Sequence, residues 1–124
     1  MAARILLVDD SAPFRRRAVE LLTSRGFAVL PSAADRAAAL DVVAMGGCPD
    51  AVFVDVQLSS DDGIAVAEAL ATACPDARIV LLAASGVQIP DADRERARAV
   101  AVLANDRLSD ADLDTLLDVA PESS

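Results

Sequence analysis

The chain has 124 residues, enough for one domain with one sizeable core. Hydrophobic residues make up 54% and aromatics 2%, so that core must be built from Ala, Val and Leu. The formal net charge of -9, with eleven Arg, no Lys and no His, argues against a surface made for nucleic acid. No apolar stretch approaches the ~20 residues of a membrane span. The N-terminus has no signal-peptide pattern, so a cytoplasmic protein is expected.

Ile5-Leu6-Leu7-Val8 reads as a buried strand ending in two acids, Asp9 and Asp10. Ser11 is placed to cap a helix with Pro13 in its first turn, and Phe14, Ala18, Leu21 and Leu22 form the inward stripe. Gly26 closes it. Within that helix Arg15, Arg16 and Arg17 are expected on a solvated face. Phe27 to Leu30 reads as a weak strand and Ala34 to Met45 as an Ala-rich helix. Gly46-Gly47-Cys48-Pro49 breaks that helix. Cys48 and Cys74 lack metal-ligand spacing and are expected as two reduced thiols.

Ala51 to Val54 is the central strand, apolar on both faces, and it stops at Asp55. A carboxylate at the inner end of a buried strand needs something to pair with, so chemistry is expected there. Ser59-Ser60-Asp61-Asp62-Gly63 is turn-forming. A helix follows over 63–73, with Ile64, Ala67, Leu70 and Ala71 on one face. Ala77 to Ala83 is a fourth strand, Asp91 to Ala99 a short polar helix, and Val100 to Leu103 a fifth strand. Ser109 is placed to cap a last helix with Leu113, Leu116, Leu117 and Ala120 inward. Strict alternation of five strands and five helices implies an α/β doubly wound parallel sheet covered on both faces. The expected division is a domain over 1–120 and a short tail over 121–124.

In a parallel sheet all carboxyl ends share one edge. If the first and third strands are neighbours, Asp9, Asp10 and Asp55 converge. Three bare carboxylates repel one another, and a hard divalent cation such as Mg²⁺ resolves the repulsion. A carboxylate beside Mg²⁺ can also attack phosphorus and form an acyl phosphate.

The residues Ile5-Leu6-Leu7-Val8-Asp9-Asp10, Val54-Asp55-Val56-Gln57-Leu58, Asp62-Gly63 and Asn105-Asp106-Arg107-Leu108-Ser109 resemble the receiver domains of bacterial two-component response regulators. That resemblance implies a flavodoxin-like strand order, 2-1-3-4-5. It makes Asp55 the phosphoacceptor. Asp10 would hold Mg²⁺ directly, Asp9 through water, and Gln57 through its backbone carbonyl. It implies a sensor histidine kinase or phosphotransfer protein upstream and a protein partner downstream. A homodimer could form through the fourth helix, fifth strand and fifth helix, where Arg94, Arg96, Arg98, Asp110 and Asp112 would lie.

The sequence also departs from the family. Ala83 stands where a Thr or Ser usually touches the phosphoryl group, with Ser85 a weak substitute two residues on. Asn105 stands where a Lys pairs with the phosphorylated Asp, and Arg107 is the nearest cation. Val102 stands at the aromatic switch position. Ser59 replaces the usual loop Pro, a change expected to loosen the loop and little else. Losing one charge-assisted hydrogen bond costs about 1.5–3 kcal/mol, so a weakened switch is expected. The alternative is a pseudo-receiver, a protein-interaction module independent of phosphate. A phosphatase using Asp55 as nucleophile is disfavoured, because Gln57 stands where its second acid belongs, and a non-enzymatic module is expected.

Overall fold

The computed structural model describes residues 3–110 and 113. Five strands, β1 (Arg4–Val8), β2 (Ala28–Val29), β3 (Ala51–Asp55), β4 (Arg78–Ala83) and β5 (Ala99–Ala104), form one sheet in the order β2-β1-β3-β4-β5. Every pairing is parallel. The helices between them are α1 (Ala12–Ser24), α2 (Arg36–Gly46), α3 (Gly63–Ala73) and α4 (Asp91–Ala97), and a 3₁₀ segment, Asn105–Asp110, follows β5. The expected alternation and order are therefore present. The expected last helix falls mostly outside the described residues; Leu113 is helical and buried.

Strand side chains alternate between two cores. Leu6, Val8, Val52, Val54, Ile79 and Leu81 face α2, α3 and α4. Ile5, Leu7, Ala51, Phe53, Val80 and Leu82 face α1 and the 3₁₀ segment. All of these are fully buried, which is why the three central strands read as continuous apolar runs. Each such Val, Leu, Ile or Phe is worth about 1.5–3 kcal/mol when fully buried.

The helix starts are set by short polar side chains. Ser11 accepts the Phe14 N–H at 3.3 Å, Asp35 that of Ala38 at 2.9 Å and Asp62 that of Ile64 at 2.9 Å. Helix α3 begins hard against β3. A Cβ on Gly63 would lie 2.2 Å from the carbonyl oxygen of Asp55, so only glycine fits there.

One expectation is overturned. Cys48 and Cys74 are not two free thiols but a disulfide, with Cα atoms 5.6 Å apart. Twenty-six positions separate them in sequence, and the fold closes that loop by laying the end of α3 beside the entry to β3. No spacing rule reveals such a contact, because it depends on how two elements pack.

Candidate functional site: a carboxylate triad at the switch point

β1 and β3 are the strands at which the connections diverge. α1 leads from β1 outward to β2, and α3 leads from β3 toward β4 in the other direction. The crevice that opens at their carboxyl ends is where open α/β sheets bind ligands. The register pairs Val8 with Val54, so the next residues, Asp9 and Asp55, lie side by side. Carboxylate oxygens of Asp9, Asp10 and Asp55 all fall within 4.8 Å of one another.

Each acid has a different environment. Asp9 is only 2% exposed. Its Oδ1 accepts the Ser11 N–H at 2.8 Å, and its main chain is held by Ala33 and Arg15. Burial, then the charge of Asp55 and a shared hydrogen bond with it, push Asp9 up to about 6, against the lowering effect of the Ser11 N–H. Burial and the charge of Asp10 raise Asp55 as well, although the Gln57 N–H donates to its Oδ1 at 2.9 Å. Asp9 and Asp55 thus both hold a proton to higher pH than an isolated carboxylate does.

Asp10 goes the other way. The Ser59 hydroxyl and the Ser59 N–H, the latter at 2.9 Å, both donate to its Oδ2, and they hold its carboxyl below the usual carboxylate range. This corrects the expectation that Ser59 merely loosens the loop. A proline there would have neither donor.

Ala83 ends β4, buried and without a hydroxyl. Ser85 lies beyond the strand in a turn, and its hydroxyl donates to Asp106 Oδ1 at 2.8 Å. Asn105 is the first residue after β5. With Asp9, Asp10, Asp55, Asp106 and Arg17 it lines a cleft of about 640 Å³ between α1 and the 3₁₀ segment. Val102 is half-buried against the α4-side core. Arg107 is exposed and lies 3.8 Å from Asp110. Arg96 turns toward α3, its Nε 2.9 Å from Glu68 Oε1, rather than standing free on the face of α4 and β5. Of the basic run on α1, Arg16 and Arg17 are exposed, while Arg15 is half-buried and donates to the Asp9 carbonyl at 2.6 Å.

Sequence reasoning thus found the triad but missed Ser59, Arg15 and Asp106 as neighbours of it. The signal for Ser59 was present: a hydroxyl and an N–H where proline would supply neither, one loop away from three acids.

Three carboxylates with oxygens this close, one of them pushed up to about 6 by burial and by its acidic neighbours, suit a hard divalent cation. A flavodoxin-like sheet carrying such a triad at its switch point is the architecture of a signalling receiver. Residues 5–111 match the response regulator receiver domain family, and the chain belongs to that family. It is 38% identical over 82 residues to the photosynthetic apparatus regulatory protein RegA of Rhodovulum sulfidophilum, 66% of this chain and 44% of that protein. It thus spans less than half of that relative's length. It is 34% identical over 88 residues to the chemotaxis protein CheY of Bacillus subtilis, 71% of this chain and 72% of that one. It also superposes with a TM-score of 0.76 and 27% identity on a Burkholderia pseudomallei response regulator solved with a phosphorylated aspartic acid, calcium ion and citrate, covering 92% of this chain and 66% of that one. Receiver domains bind Mg²⁺ at an acidic cluster of this kind and are generally signalling modules rather than enzymes. Among the described residues no helix is long and apolar enough to cross a membrane.

Proposed function

We propose that the chain is an atypical receiver that accepts a phosphoryl group on Asp55 and transmits its presence weakly. The observation that carries this reading is the convergence of Asp9, Asp10 and Asp55 oxygens within 4.8 Å. Asp10 and Asp55 would hold Mg²⁺ directly, Asp9 through water, and Gln57 through its backbone carbonyl. The cation supplies charge neutralisation at the incoming phosphoryl group. In the step itself a carboxylate oxygen of Asp55 forms a bond to phosphorus. The bond from phosphorus to the donor breaks, and the donor keeps the electron pair. The calcium ion and phosphorylated aspartic acid of the Burkholderia pseudomallei relative support this reading.

The weakness follows from what surrounds Asp55. Ala83 offers no hydroxyl, and the nearby Ser85 hydroxyl is engaged by Asp106. Asn105 donates a neutral hydrogen bond at most. Val102 has no ring to reorient. A missing charge-assisted bond of about 1.5–3 kcal/mol is roughly ten- to a hundredfold in a transfer rate or equilibrium. The donors upstream would be a sensor histidine kinase or a phosphotransfer protein. Output would run through a protein partner or a second copy docked on α4 and β5. Cytoplasmic residence and the absence of catalytic turnover belong to the same reading.

Labelling with acetyl phosphate and Mg²⁺, followed by intact mass, tests it. A phosphoryl adduct lost in Asp55→Asn is expected, and no adduct under any condition would sink the proposal. The second reading, a pseudo-receiver, is favoured by the engagement of Ser85 with Asp106. Beryllofluoride with Mg²⁺ separates the two. Amide shifts reaching β4 and β5 indicate a working switch, and shifts confined to the acid loops indicate the pseudo-receiver.

A further inference from the structure

We infer that Cys48 and Cys74 are a reversible dithiol–disulfide pair, a redox modification site at the pole of the sheet opposite the acids, which tethers the end of α3 to the loop entering β3. The inference does not depend on phosphate transfer to Asp55.

The loop carrying Cys48 is fixed by contacts that do not involve sulfur. The Arg4 guanidinium donates to the Gly46 carbonyl at 2.7 Å and to the Cys48 carbonyl at 3.0 Å. The Arg4 N–H donates to Asp50 Oδ2 at 2.7 Å, and the Asp50 N–H donates back to the Arg4 carbonyl at 2.8 Å. Cys74 is fixed just as firmly. It is the residue at which α3 ends, its N–H bonds the Leu70 carbonyl at 2.8 Å, and its carbonyl accepts the Ala77 N–H at 3.0 Å. Reduction therefore leaves the two sulfurs neighbours, and the pair can close again.

Both redox forms also fit their surroundings. Cys74 is 2% exposed, and a buried neutral thiol behaves as a small hydrophobe. Cys48 is an exposed residue whose Sγ lies 3.5 Å from the Ala73 carbonyl oxygen, within reach of a weak S–H donor once reduced. The exposed partner offers the point of attack. In oxidation, the Cys48 thiolate attacks a small-molecule disulfide and releases one thiol. Cys74 then attacks Cys48 Sγ and releases the second. Two electrons and two protons pass to the small disulfide, which becomes two thiols. A dithiol reductant runs the exchange backwards.

α3 is held at both of its ends, by different contacts. The helix is about 16 Å long, with the disulfide at its last turn and Gly63 packed on the Asp55 carbonyl at its first. Because the bond closes a loop in the unfolded chain and so restricts it, the oxidised protein is the more stable of the two forms.

The test uses the whole chain equilibrated in mixtures of reduced and oxidised glutathione, alkylated with iodoacetamide under unfolding conditions and weighed. Oxidised protein should take no label and reduced protein two, with the change reversible in both directions. Oxidation should raise Tm by about 10 °C, and Cys48→Ser should show no Tm difference between the two conditions. Two labels at every glutathione ratio would overturn the inference. So would disulfide-linked dimers through Cys48, a bond that dithiothreitol cannot open in the folded protein, or an unchanged Tm.

Discussion

Ser59 donates both its hydroxyl and its backbone N–H to the same carboxylate oxygen of Asp10, across forty-nine positions of sequence. The loop after β3 is thereby tied to the loop after β1 at the mouth of the acid cluster. The tie keeps Asp10 ionised while its two neighbours lean toward protonation.

A cation that uses this oxygen must compete with Ser59. Ser59→Ala removes the hydroxyl and leaves the N–H. It should cost about 0.5–1.5 kcal/mol of stability without Mg²⁺. It should also tighten Mg²⁺ binding by roughly three- to tenfold, the equivalent of about 0.7–1.4 kcal/mol. Denaturant unfolding and calorimetric titration measure the two effects. Weaker Mg²⁺ binding in the variant would show that Ser59 organises the site instead of competing for it.

The acid pair gives the metal-free protein an unusual pH dependence. Asp9 and Asp55 both titrate higher in the folded chain than in the unfolded one. Between about pH 4 and pH 7 the folded state therefore holds more protons, and stability falls as pH rises through that window. For Asp9, raised from 3.8 to about 6, the loss is on the order of 2–3 kcal/mol. Asp10 is lowered, so its contribution is present at neutral pH and fades in acid. The expected result is a Tm that drops from pH 5 to pH 7 without Mg²⁺ and drops less with it. A Tm that rises over that range without Mg²⁺ would contradict the raised carboxyls of Asp9 and Asp55.

Gly63→Ala places a methyl group 2.2 Å from the Asp55 carbonyl oxygen. α3 or the end of β3 must move, at a cost of about 1–3 kcal/mol. Because that peptide carries Asp55, the variant should also accept phosphate from acetyl phosphate more slowly. Unfolding curves and labelling rates test both effects, and wild-type values for the pair would mean that the junction yields freely.

If the proposed reading is right, supplying a hydroxyl and an ammonium beside Asp55 should speed its phosphorylation. Ala83→Thr with Asn105→Lys should raise labelling of Asp55 by at least tenfold, the effect of about 1.4 kcal/mol. The new ammonium would stand in a cleft that already holds Asp106, so adding Asp106→Asn should increase the gain by removing a competing partner. An unchanged rate in the double variant would place the defect elsewhere, with the Ser59 loop first in line.

Much of this protein was legible in its sequence. Runs such as Ile5–Val8 and Ala51–Val54 are apolar on both faces, and only a strand between two helical layers can bury both. Alternation of those runs with helical stripes fixed the doubly wound sheet, and parallel strands brought their terminal acids to one edge. Tertiary structure alone decided which side chain met which. Ser59 reaching Asp10, Ser85 turning to Asp106, Arg96 choosing Glu68 and Cys48 meeting Cys74 are contacts between segments far apart in the chain. Periodicity reports the face a residue occupies, but the partner across a gap depends on loop paths and helix placement that no local pattern encodes.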